Sequence, residues 1–181
     1  MENIVFINQT TISEKEHKTL NKLIFISKLL PMVIIYQIMA LIFMVYGLIL
    51  KNYFIAIFFG ILFVFFPIGM IFISYLRTIK LYKKYKQLYD NSKYTFEFYD
   101  DNVKVDLTYG NSKRNAIIKY SDLTVTETKE YIFLFISATN AYIVNKDGFN
   151  NNFDSLGFRS IVQGKAKKYK IKKWGELNVI Y

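Results

Sequence analysis

Two stretches of the chain are apolar on every side. The first, "LLPMVIIYQIMALIFMVYGLIL" (Leu29 to Leu50), has no charge and one amide, Gln37; the second, "YFIAIFFGILFVFFPIGMIFISYL" (Tyr53 to Leu76), has no charge at all. A helix that faces water on one side shows a polar stripe, and neither stretch has one. Each is about the length a helix needs to cross ~30 Å of hydrocarbon. Only Lys51 and Asn52 separate them. One helix through both would be about 70 Å long. It would also hold a lysine near its middle, at about 2.5–3.5 kcal/mol on insertion scales. A hairpin avoids both difficulties, because Lys51 and Asn52 then lie at the headgroup level with Tyr46 and Tyr53 at interface depth. The pattern therefore predicts a two-helix transmembrane hairpin, 29–50 and 53–76, with a very short loop. Pro31 is expected in the first turn of its helix, where a missing N–H costs little, and Pro67 is expected to kink the second. Gln37 is expected to hydrogen-bond across to the partner helix.

The flanks orient the hairpin. Lys15, Lys18, Lys22 and Lys28 precede it, Arg77, Lys80, Lys83, Lys84 and Lys86 follow it, and only Lys51 is in the loop. Positive charge marks the cytoplasmic side, so both termini are expected in the cytoplasm of a multi-pass protein of the cell membrane. The first 28 residues read as a short strand, "NIVFIN", and a helix opened by a Ser13–Glu16 capping box. His17 reads as a solvated surface residue on that helix. Residues 77–92 continue the second span as a basic helix. Its lysines either touch anionic lipid or form a solvated stalk that fixes topology, and the same charges serve both readings.

From residue 93 the period changes to two, the signature of strands. "KYTFEFY" and "VKVDLTY" alternate apolar and polar positions, and "NAIIKY", "TVTET", "YIFLFIS" and "AYIVNK" follow as further short strands between turns. "NFDSLGFRSIVQGKAKKYKIKK" is helical in pattern, capped by Asp154 or Asn152, with the lysine run at 165, 167, 168, 170, 172 and 173 as its extension. Such a run is a solvated face by default, with anionic lipid as the alternative, at Lys165, Lys167 and Lys168 as at the juxtamembrane cations. The expected class is membrane α plus soluble β: a hairpin followed, over 93–181, by a small curved sheet or partly open barrel with a C-terminal helix.

Composition narrows the chemistry. With 181 residues and no Cys, disulfides and thiolate sites are excluded, and one His rules out any site needing two imidazoles. The net charge is +10, and residues 1–89 hold ten Lys/Arg against three Asp/Glu, so most of the excess belongs to the half with the apolar runs. The membrane accounts for it, and nucleic acid is not expected. No nucleotide, zincin, hydrolase or thiol motif occurs. Asp100, Asp101 and Asp106 have ordinary turn composition. The expectation is a non-enzyme without cofactor or metal.

The plan resembles the YcxB-like family, bacterial membrane proteins with a C-terminal pleckstrin-homology-like domain. The resemblance rests on "YTFEFYDDNVKV" (94–105), "YSDLTVTETKEYIFLFISATNAYIVNKDGF" (120–149) and "FRSIV" (158–162). Tyr120-Ser121-Asp122-Leu123 matches the family's aromatic-Ser-acidic-aliphatic step. Ile143-Val144-Asn145-Lys146 with Phe149 matches a later segment, with Asn145 where proline is usual. The resemblance implies a pleckstrin-like fold and a membrane location but no catalytic residues. Asp122 reads as a corner residue, and Lys146 with Phe149 as ordering the sheet-to-helix joint. The resulting expectation is a membrane protein that presents its domain to a protein partner or to itself. The alternatives are self-protection against a bacteriocin-type peptide, which some related pleckstrin-like membrane proteins are proposed to confer, and recognition of anionic lipid. For the topology, Lys51→Cys in intact cells should react with an impermeant thiol reagent added outside; reaction only after lysis would refute the orientation.

Overall fold

The computed structural model describes residues 4–90, 92–150 and 153–172. The chain forms two compact units, His17–Tyr85 and the pair Met1–Glu16 with Lys86–Tyr181. Asn152, expected as a cap, and Lys173, expected in a helix, lie outside the described residues.

The first unit is helical. Helix α1 (Glu14–Ile24) runs through one π-helical turn, Phe25–Leu29, into α2 (Leu30–Ile49), and α3 (Tyr53–Asp90) follows. Pro31 is thus within a continuous helical run rather than at a free start. The Leu30 N–H reaches back five residues to the Phe25 carbonyl. That widened turn sits where the proline ring would crowd the carbonyl four residues before it.

The turn at Lys51 is a Schellman motif. The Asn52 N–H donates to the Gly47 carbonyl at 2.9 Å and the Lys51 N–H to Leu48 at 3.0 Å. Lys51 itself has φ 56°, the left-handed conformation, and is alone among described non-glycine residues in a positive φ. Asn52 then caps α3, accepting from the Ile55 N–H at 3.3 Å. Beyond the turn the helices pair antiparallel: Phe43 stacks on Phe59 at 4.9 Å and Tyr36 meets Phe66 at 5.6 Å. Gly47 sits at the tightest approach, where a Cβ would lie 2.8 Å from the Ala56 nitrogen. Gln37 lines an apolar cleft of about 150 Å³ between the helices, and no hydrogen bond joins it to α3 among the described residues. Most large apolar side chains of α2 and α3 are exposed, Phe54 at 81%. Both helical runs are long and apolar enough to cross a membrane.

His17 is buried, contrary to expectation, with 9% of its surface exposed and its ring 5.8 Å from that of Tyr82 on α3. Thr78 and Tyr82 are buried as well. The extension of α3 is therefore not a bare stalk; it has a packed face, and its cations lie off it.

The second unit holds two open four-stranded sheets. Strands β1 (Phe6–Thr11), β2 (Ser92–Phe98), β3 (Asn102–Tyr109) and β4 (Ser112–Lys119) form an antiparallel sheet in that order. Strands β5 (Thr124–Glu127), β6 (Tyr131–Phe135), β7 (Ala141–Asn145) and β8 (Lys168–Ile171) form the other, in the order β7-β6-β5-β8. The sequence reading of one curved sheet or partly open barrel becomes two sheets because a 3₁₀ turn, Tyr120–Asp122, breaks the ladder after β4. Tyr120 is fully buried there, and its hydroxyl donates to the Tyr99 carbonyl at 2.7 Å. Phe96, Phe98, Val103, Val125, Ile132, Leu134 and Val144 share one core with Phe158 and Val162 of helix α4 (Ser155–Val162). Asp154 caps α4 through the Leu156 N–H at 2.9 Å.

Two features depart from the sequence reading. The lysine run does not extend α4. The helix stops near Gly164, and Lys168–Ile171 pair with β5 in parallel. The alternation of Lys168, Tyr169 and Lys170 suits a strand, with Tyr169 packed against the core. The N-terminal strand is also part of this unit: β1 pairs with β2 from Phe6↔Phe98 to Thr11↔Lys93. It joins the second sheet through side chains. Asn8 Nδ2 donates to the Asn145 carbonyl at 2.7 Å, Thr10 Oγ1 donates to Asn8 Oδ1 at 2.7 Å, and the Asn145 N–H donates to Thr10 Oγ1 at 2.9 Å. Gly148 makes the approach feasible, since a Cβ there would sit 2.1 Å from the Gln9 carbonyl oxygen.

Gly47→Val should lower the melting temperature of the full chain in detergent by several degrees, because the branch meets the α3 backbone. Gly60→Ala, whose Cβ would meet only Met44 Sδ at 3.6 Å, should leave it nearly unchanged. Lys51→Gly should stabilise by up to about 1 kcal/mol, since glycine adopts the left-handed conformation without the Cβ penalty; urea titration in micelles reads this out.

Candidate functional site

The most concentrated polar chemistry lies at the end of β5. In "TVTET" the alternation turns Glu127 inward, and its side chain is 1% exposed. A buried carboxylate is costly unless paired and hydrogen-bonded. Here three elements converge on it. Lys146, from the 3₁₀ turn after β7, places Nζ 2.7 Å from Oε1. Arg159, on α4, donates from Nε to Oε2 at 2.8 Å and from Nη2 to Oε1 at 3.0 Å, a bidentate pair. Tyr169, on β8, donates its hydroxyl to Oε2 at 2.6 Å. The Glu127 carbonyl accepts the Lys172 N–H at 2.8 Å.

Burial alone would raise the Glu127 pKa, but the bonds from Arg159, Lys146 and Tyr169 outweigh it and hold the carboxyl at about 2. Burial and the same carboxylate push the Tyr169 phenol up. With both oxygens taken by donors, Glu127 is not a proton acceptor near neutral pH. It is a staple tying β5, α4, β8 and the turn after β7.

A second carboxylate fixes the start of α1. Glu16 is buried, accepts the Ser13 N–H at 2.9 Å and the Ser13 hydroxyl, and accepts the Tyr131 hydroxyl at 3.1 Å. Burial opposes ionisation, yet the Ser13 bonds bring its pKa down. The capping box is half-formed, for Ser13 Oγ accepts from Lys15 rather than from the third helical residue. Burial pushes the His17 imidazole down.

The residues singled out from the sequence fall into three groups. Arg77, Lys80, Lys83, Lys84 and Lys86 are exposed on α3. Lys165 lies in the turn after α4, ion-paired to Asp101 at 3.0 Å and bonded to the Asp100 carbonyl at 2.8 Å; Lys167 gives its N–H to the Tyr120 carbonyl, and Lys168 opens β8. These three do not form a helical basic face. Tyr120 and Asp122 bound the corner between the sheets. Phe149 stacks on Phe153 at 4.3 Å, and Lys146 Nζ is 5.5 Å from the Phe153 ring centroid.

Reading the sequence missed Glu127, Arg159 and Tyr169. The available signal was a glutamate at an inward position of a strand, since such a residue requires cationic partners.

Residues 98–162 match the family model described as YcxB-like protein. No curated protein and no solved structure matches the chain. The matched segment runs from the last residue of β2 to the last of α4, so it includes Glu127, Lys146 and Arg159 and excludes β1, both long helices and Tyr169.

Two outcomes follow for this cluster. Glu127→Gln should destabilise the chain by about 3 kcal/mol or more, as two cations lose their buried counter-charge; near-UV circular dichroism under urea measures it. The folded carboxyl pKa lies below its ordinary 4.5, so this stabilisation is complete above pH ~4.5 and declines as pH falls towards about 2. The Glu127→Gln chain should lack that acid-limb dependence.

Proposed function

We propose that the chain is a membrane-anchored interaction module: a transmembrane hairpin that holds a YcxB-like, pleckstrin-like domain at the cytoplasmic face, where it binds a protein partner or a second copy of itself. The observation that carries this reading is the β1–β2 ladder. The chain leaves the sheet at Thr11 and re-enters it at Ser92, with both long apolar helices between. A sheet assembled on one side of a bilayer allows only an even number of crossings in that interval, and two helices of sufficient length are there. The charge count, nine cations beside the helices against one at the turn, agrees and gives the direction.

The binding part of the proposal draws on how several carboxylates of the domain are spent on holding it together. The Glu127 cluster is saturated, Asp101 is paired with Lys165, and Asp106 with Lys104 at 3.0 Å. Such a domain acts by presenting surface. Mild-detergent purification of the tagged full chain should recover a stoichiometric second protein or a homo-oligomer. Recovery of a monomer alone, from cells cross-linked before lysis, would reject the reading.

A further inference from the structure

The first sheet has two edges that differ in kind. At one, β1 is covered, because Asn8 and Thr10 bond to β7. At the other, β4 has no strand beyond it among the described residues. An uncovered edge is a row of backbone donors and acceptors ready to pair with another strand.

The side chains of β4 restrict what can pair there. Its sequence, Ser112–Lys119, contains Lys113, Arg114 and Lys119 and no acid. Residues 112–115 are all exposed, and Ile117 is 71% exposed, an apolar side chain in water on an open edge. Lys113, Arg114 and Asn115 also line a cleft of about 680 Å³ with Thr95, Asp106 and Thr108. Asp106, the one acid in that lining, shares Lys104 with Glu97 at 3.0 Å each, and the two cations Lys113 and Arg114 outnumber it.

From this we infer that β4 is a docking edge for an extended acidic segment of another protein, added as a fifth strand. Successive residues of a strand point to opposite faces. Lys113 and Arg114 therefore call for two consecutive acidic residues opposite them, and Ile117 for an apolar residue further along. A second copy fits poorly, because its β4 would bring three more cations to the seam. The inference rests on the module reading and names the chemistry of the partner.

The test uses the full chain in micelles and three octapeptides rich in Val, Thr and Ile, alike except for Glu-Glu, Ser-Ser or Lys-Lys at two adjacent places. Fluorescence polarisation at low salt should rank Glu-Glu tightest, by roughly tenfold over Lys-Lys. Hydrogen exchange should slow at 112–119 when it binds. Lys113→Glu with Arg114→Glu, both at exposed positions, should reverse the ranking. Equal binding of the three peptides, or a ranking unchanged by charge reversal, would overturn the inference, as would protection of 112–119 by self-association alone. If the charge-reversed chain still recovers its partner from cross-linked cells, the edge assignment fails and the module reading stands. If the native chain is recovered only as a monomer, the module reading itself fails.

Discussion

The pairing of β1 with β2 is the contact on which the rest depends. It joins residues far apart in the chain and makes the sheet domain discontinuous, with the helical unit inserted between its first two strands. Loop-closure entropy grows only slowly with loop length, so a long insertion at this place costs little more than a moderate one. In return β1 supplies the Asn8 and Thr10 side chains that stitch the two sheets together. Without β1 the first sheet would have a second open edge, and the half-buried Asn145 backbone would lose its hydrogen bonds with Asn8 and Thr10.

Much of this was readable in the chain. β2 and β3 follow a period of two, the later strands follow from short segments set between turns, and the hairpin follows from two apolar runs and one charged break. Local signals carried that information. The missing parts depended on partners distant in sequence. Nothing near Phe6–Thr11 says that it pairs with Ser92–Phe98. The lysine run suits a helix as well as a strand until Tyr169 is seen to need Glu127. His17, amid lysines, looked solvated because its cover is Tyr82, on another helix. Of the candidate site, Lys146 was noticed for its family-like position, while Glu127 was passed over in a strand that reads as ordinary.

The polar interior follows one rule: each buried carboxylate brings together elements that hydrophobic packing alone would leave free to slide. Glu127 holds α4 and β8 to β5, and Glu16 ties the start of α1 to β6. Both resist protonation because their hydrogen bonds outweigh the cost of burial. The apolar core is tolerant of small shifts; these contacts are not.

The discontinuity also sets an order of events during synthesis. β1 emerges from the ribosome first, but its partner follows only after about 80 more residues (12 to 91), roughly 4–16 s of elongation at ~5–20 residues per second. Throughout that interval β1 is a single strand with no ladder, while the apolar helices are being made. In the proposed topology the domain is thus completed only after both helices have crossed and the chain has come back. A hairpin that failed to return would leave β1 and β2 on opposite sides of the bilayer, and the unpaired strand would be open to proteolysis and aggregation. In that topology, correct insertion is a condition of correct folding.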